Sequence, residues 1–209
     1  HAYLKTDIRY DMKFLPRPFF IEFTGSPSAG KTTVIKELDK LFRLLKFKVL
    51  CPQEGAEVIR HIDRTSPLYN LCTAGYALNM LNDLASGHKF DIVIFDRSIF
   101  DPYCWMMYWE GKNMLSKEEK ELYQSFFLSR FWCQNIDIAY FMVADPKSAM
   151  RREQRIALSS KMGETTNPKT IETLVQRYKT AYEQLSPKYP QLKILDTTSM
   201  DEQTMVSLI

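Results

Sequence analysis

The chain has 209 residues, 45% of them hydrophobic, and a formal charge of +3 from 28 basic and 25 acidic side chains. That length supports one domain with a substantial core, and the near balance of charge, with no long basic run, does not indicate a nucleic-acid or membrane surface. No apolar run approaches the roughly 18 residues of a membrane span, and no signal-peptide pattern is visible.

An extension over 1–17 precedes a single domain over 18–209; the first residue is His1, which leaves room for flanking sequence or domains. The apolar run Phe19-Phe20-Ile21-Glu22-Phe23 predicts a first strand over 19–24. Gly25-Ser26-Pro27-Ser28-Ala29-Gly30-Lys31-Thr32 follows, spelling G-x-x-x-x-G-K-[ST]. Val34, Ile35, Leu38, Leu41, Leu44 and Leu45 then recur at helical spacing over 31–46. Strand, loop and helix are the context that a phosphate-binding loop needs. The glycines let backbone N–H groups face a phosphate, the helix N-terminus adds positive potential, Lys31 carries a full charge, and the Thr32 hydroxyl can ligate magnesium. Gly25, Ser28, Ala29, Gly30, Lys31, Thr32 and Thr33 are therefore the candidate contacts for ATP or GTP with Mg2+.

A second strand over 47–52 ends near Glu54, a carboxylate able to take a proton from an attacking hydroxyl or to share in magnesium binding. Glu57 is its rival in the same segment, and a helix-capping acid is the plainer alternative. A helix over 66–87 carries Tyr69 and Tyr76, either of which could reach a ribose hydroxyl. The run Ile92-Val93-Ile94-Phe95, within a strand over 91–95, predicts a central strand buried on both faces, and Asp96-Arg97-Ser98 sits at its C-terminal end, where ligands bind in such sheets. Asp96 could hold magnesium and Arg97 could grip an oxyanion, or the two could merely cap the next helix. That helix, over 98–110, and another over 117–133 are rich in aromatic residues that predict core packing. Phe100 could instead stack on a base, and the apolar 98–110 helix could also serve a homodimer.

Further strands over 137–143 and 192–196 and helices over 146–160 and 169–185 complete an alternating pattern, which implies an α/β fold: a parallel sheet of about five strands with helices on both faces. Arg151, Arg152 and Arg155 cluster on the 146–160 helix, ahead of a lid at about 155–168 that could close over transferred phosphate and exclude water. Cys51, Cys72, Cys104 and Cys133 include no C-x-x-C pair, which fits reduced thiols and a cytoplasmic location better than disulfides or zinc.

These elements, GSPSAGKTT, Glu54, DRSIFDPY over 96–103, the arginine-bearing helix and the closing Leu192–Asp196 strand, together resemble the deoxyribonucleoside kinase and thymidylate kinase group of P-loop kinases, from about residue 18 to 200. The resemblance implies the three-layer P-loop NTPase fold. It also implies a general-base role for Glu54, magnesium for Asp96, the acceptor's reacting oxygen for Arg97, donor phosphates for Arg152 and Arg155, and the donor base for the segment from Thr197 to Asp201. The chain departs from that group where Leu71 to Ala77 lacks both the base-reading Gln of deoxyribonucleoside kinases and the Asp-Arg pair of thymidylate kinases. A monophosphate acceptor would want another cation, for which Arg60 and Arg64 are candidates.

The expected activity is phosphoryl transfer from magnesium ATP to a small nucleoside or nucleoside monophosphate. The alternative is a kinase-like nucleotide-binding regulator or slow NTPase acting through a partner, which the stretch from Gln53 to Arg60 also resembles. A nucleic-acid-end kinase would need a basic groove that the charge pattern does not offer.

Overall fold

The computed structural model describes residues 17–156 and 167–209. The expected N-terminal extension up to residue 16 and the lid over 157–166 lie outside the described residues, as does the side chain of Arg155.

Five strands form one parallel sheet: β1 (Phe19–Gly25), β2 (Val49–Leu50), β3 (Ile92–Asp96), β4 (Ile138–Val143) and β5 (Leu192–Asp196), in the order β2-β3-β1-β4-β5. The strands of the middle read as near-continuous apolar runs because both faces are covered. One face packs against α1 (Lys31–Leu44), through Val34, Ile35 and Leu38, and against Met205 of the short α9 (Glu202–Ser207). The other carries α3 (Pro67–Ala85), α4 (Asp101–Gly111) and α8 (Pro168–Leu185), whose Leu81, Met106, Leu174 and Tyr178 meet Phe20, Val93 and Phe141. Three layers result, as the alternation of elements predicted.

All five predicted strands are present, and the differences lie at the edges of elements. The strand expected over 47–52 is paired only at Val49 and Leu50. A short helix, α2 (Gly55–Val58), follows Glu54. The helix expected over 117–133 divides into α5 (Lys117–Phe127) and α6 (Arg130–Cys133), because Ser129 between them is extended, with φ −58° and ψ 141°. Among the described residues the remaining helix is α7 (Pro146–Ile156). The helix expected from residue 98 begins at Asp101, with Phe100 as its N-cap, and Arg97 ahead of it stands in the left-handed region at φ 66°. Cys104 to Trp109 are all buried, so these side chains of α4 pack inside the chain. All four cysteines are free thiols. Among the described residues no helix is long and apolar enough to cross a membrane.

Two pairings put the chemistry at one edge of the sheet. In the register of β1 with β3, Phe23 stands opposite Asp96; in that of β1 with β4, Gly25 stands opposite Met142. The phosphate loop, leaving the central strand at Gly25, therefore has the Asp96-Arg97 turn as its neighbour. Gly25 itself has φ 144°, and a Cβ there would lie 1.9 Å from the Met142 carbonyl oxygen. Gly25→Ala combines left-side backbone strain with a clash against rigid backbone, so it should cost at least about 2 kcal/mol of stability. A urea titration that leaves the midpoint unchanged would contradict this account.

Candidate active site

The loop between β1 and α1 turns through Ser28 at φ 54° and Gly30 at φ 92°. Lys31 is buried beneath it, and its Nζ donates to the carbonyls of Ser26 (2.9 Å) and Gly25 (3.2 Å). Burial, and then the nearby Arg97, bring its pKa down to about 8. An ammonium held so close to losing its proton is one that an incoming phosphate would restore to full charge. Thr32 Oγ1 donates to Asp96 Oδ2 at 3.0 Å. The other Asp96 oxygen is buried and, among the described residues, has no hydrogen-bond partner. An orphaned carboxylate oxygen beside a hydroxyl at the mouth of a phosphate loop fits a magnesium ion completed by donor oxygens and water.

Arg97 is the hub of the other half. Its Nε lies 3.3 Å from Glu54 Oε1, and one terminal nitrogen donates to Asp101 Oδ1 (2.6 Å) and to the Tyr178 hydroxyl (2.8 Å). Tyr178, on α8, and Thr24, on β1, also donate to that same Asp101 oxygen. Burial works against the charge on Arg97, but Asp101, Tyr178, Glu54 and Asp96 hold it firmly protonated. Glu54 is pushed up from the ordinary carboxylate range by burial, and by Asp96 and Asp101, against the pull of Arg97 and Lys31. A carboxylate whose pKa is raised in this way suits a group that must accept a proton.

A cavity of about 430 Å³ joins the two halves. Lys31, Thr32, Asp96, Glu54 and Arg97 all line it, together with Tyr69 and Ser28. Position separates Glu54 from its rival, because Glu57 is exposed and off the cavity wall. Arg64 also lines the cavity, with its guanidinium 5.7 Å from the centre of the Tyr69 ring and one nitrogen on the Ala56 carbonyl; Arg60 instead bonds the Glu57 carbonyl away from the wall.

Several expected site residues stand elsewhere. Phe100 is fully buried, its ring edge-on to Phe141 and Tyr189, and the aromatic residues that line the cavity are Tyr69 and Trp105. Tyr76, two turns past Tyr69 on α3, does not line the cavity, and neither does Thr33. Thr197 has no exposed surface; its hydroxyl donates to the Ala29 carbonyl and so tethers the phosphate loop to the end of β5. Arg152 binds the Ser28, Thr197 and Met200 carbonyls, bracing the loop from outside, and Arg151 bonds Ser148.

Sequence reasoning missed Asp101, Tyr178, Glu22 and Trp105. Glu22 is wholly buried in β1, and its carboxylate accepts N–H bonds from Ser98 (2.9 Å), Phe100 (3.1 Å) and Asp101 (3.3 Å). Burial, and then Asp101, push its pKa up to about 8. A carboxylate inside an otherwise apolar strand was the available signal, since such a group is buried only when its oxygens have partners.

A parallel five-stranded sheet with a G-x-x-x-x-G-K-T loop leaving its central strand for a helix defines a P-loop nucleotide-binding protein. The sequence profile of a family described as "AAA domain" matches residues 20–184, and the chain belongs to that family. No curated protein matches the chain. Among solved structures it is similar to deoxyadenosine kinase from M. mycoides, at 18% identity over 91% of this chain and 96% of that one. The TM-scores are 0.64 for the complex with dCTP, 0.64 for that with dATP and 0.66 for that with dCMP and a flexible dCDP. The chain thus has the P-loop fold that this kinase also has.

Proposed function

We propose that the protein transfers the γ-phosphoryl group of ATP to a nucleoside or nucleoside monophosphate. The observation that carries this reading is the placement of Glu54 and Arg97 on the wall of the cavity that Lys31 and Thr32 also line. A simple nucleotide switch needs the loop and the metal site; a carboxylate with a raised pKa paired to a guanidinium, across an open cavity from the loop, suits transfer to an acceptor.

In that reaction Lys31 and the loop amides bind the donor's β- and γ-phosphates. A magnesium ion held by Thr32 and Asp96 would neutralise charge on the donor oxygens. The acceptor oxygen lies against Glu54, which takes its proton where the acceptor is a hydroxyl. A bond forms from that oxygen to the γ-phosphorus, the bond to the β,γ-bridging oxygen breaks, and ADP leaves. Arg97 faces the charge that spreads over the transferred group, and Arg155 of the expected lid would add to it. Trp105, Tyr69 and the small Ala74 and Ala77 leave a slot suited to a flat ring. The M. mycoides kinase binds deoxynucleotides in a related fold, which supports a deoxynucleoside-like acceptor here. Arg64 offers a guanidinium at the cavity wall for an acceptor that already carries one phosphate.

The test is incubation with magnesium ATP and a pool of nucleosides and nucleoside monophosphates, read by mass spectrometry. An acceptor heavier by one phosphoryl group is the expected result. With a monophosphate acceptor, Arg64→Ala should raise its KM by at least about tenfold, the value of one charge-assisted contact, and leave kcat nearly unchanged. ATP binding with no acceptor modified would overturn the kinase reading in favour of a nucleotide-binding regulator.

A further inference from the structure

We propose that Glu22 is a positioning residue that holds the 97–101 turn so that Arg97 faces the acceptor, and that β1 thereby sets both halves of the site; this rests on the transfer reading above. The turn is not one the chain adopts unaided. Arg97 is a long side chain at φ 66°, a backbone state that a non-glycine residue keeps only when its surroundings impose it. Here the imposition is visible. The Arg97 N–H donates to the Phe23 carbonyl (2.8 Å), and the next amides, those of Ser98, Phe100 and Asp101, converge on the single Glu22 carboxylate. Two residues on, the same face of β1 presents Thr24, which bonds the Asp101 carboxylate that in turn holds Arg97. One residue beyond that, the strand becomes the phosphate loop.

The alternation of one strand therefore carries two functions. Glu22 and Thr24 fix the backbone and the carboxylate that aim Arg97, while Gly25 opens the loop that receives the donor. A shift of β1 would move donor and acceptor groups together and keep their spacing. An apolar residue at position 22 would satisfy the core but leave three amide donors facing it without an acceptor, and the turn would relax toward an ordinary helical start. Gln is nearly isosteric with Glu22 and keeps an oxygen that can accept from these amides.

The experiment compares wild type with Glu22→Gln and Glu22→Met, side chains of matched length, by amide hydrogen exchange over 96–101, by ATP affinity and by steady-state transfer. Glu22→Gln, which keeps an acceptor oxygen for the amides, should retain exchange protection and kcat within about threefold; Glu22→Met should lose about a hundredfold in kcat, with ATP affinity and acceptor KM within about twofold. Wild-type kcat and protection in Glu22→Met would overturn the proposal, as would equal losses in the Gln and Met variants. If Glu22→Met does not fold, Glu22→Asp replaces it: withdrawing the carboxylate by one methylene should lower kcat with ATP affinity kept, and an unchanged kcat overturns the proposal. Should the wild type transfer nothing, the kinase reading fails while exchange still decides this one: protection at 98, 100 and 101 lost in Met and kept in Gln supports it, and equal protection refutes it.

Discussion

Glu54→Gln is expected to lower phosphoryl transfer to a hydroxyl acceptor by about 10³-fold, within the range that a positioned general base contributes. ATP affinity should stay within about twofold, because the loop, Lys31 and Thr32 do not depend on it. The amide is the right replacement, since it keeps the size of the side chain and a partner for Arg97 Nε at 3.3 Å while removing basicity. The pH profile gives a second, independent readout. The working form of Glu54 is the carboxylate, and burial with Asp96 and Asp101 raises its pKa in the folded protein. Wild-type kcat/KM should therefore climb with pH through a midpoint above the ordinary carboxylate range and level off once Glu54 is ionised. The glutamine variant should show residual transfer without that limb. Transfer at the wild-type rate in Glu54→Gln would remove the base from Glu54 and leave it a ligand for acceptor or metal.

The parts of this site that could be read in the sequence are those fixed by local pattern. Gly25 to Thr32 must form their loop because the glycines and the lysine act through the backbone they occupy, and neighbouring strand and helix patterns are written beside them. Asp96 and Arg97 were legible for a related reason, since a nearly continuous apolar strand ending in a carboxylate marks the sheet edge where ligands bind. What stayed hidden acts across distance. Asp101 looks like a helix-start acid until Tyr178, 77 positions later, and Thr24, 77 positions earlier, converge on it. Phe100 and Trp105 show the limit of aromatic spacing. α4 is apolar on every side, so no stripe in its sequence tells which ring meets the core and which meets the cavity. Arg152 and Thr197 were expected to meet the donor, but they bond protein carbonyls, those of Ser28 and Ala29 in the loop among them, which depends on how β5 and α7 pack against it.

Arg97 is where stability and catalysis meet, and substitutions there should separate them. Arg97→Ala removes the partner of Asp101, a carboxylate with a side chain only 9% exposed, and breaking such a pair costs about 3–5 kcal/mol. For a chain of this length, that corresponds to a fall in Tm of roughly 6–20 °C. Thr24 and Tyr178 would still bond Asp101, which favours the lower part of that range. Transfer should fall by at least about 10³-fold, the scale of an arginine facing a transferred phosphoryl group. The alanine variant alone would leave the two effects entangled. Arg97→Lys separates them, because an ammonium keeps the charge beside Asp101 and so most of the stability, but it cannot also reach Glu54 through a second nitrogen in the plane of a fork. The lysine variant should therefore melt within a few degrees of wild type, about 1 kcal/mol or less by the same scaling, and still lose transfer by about a hundredfold or more. Near wild-type transfer in Arg97→Lys would mean that a point charge suffices at this position and that the paired geometry linking Glu54, Arg97 and Asp101 serves the fold instead of the reaction.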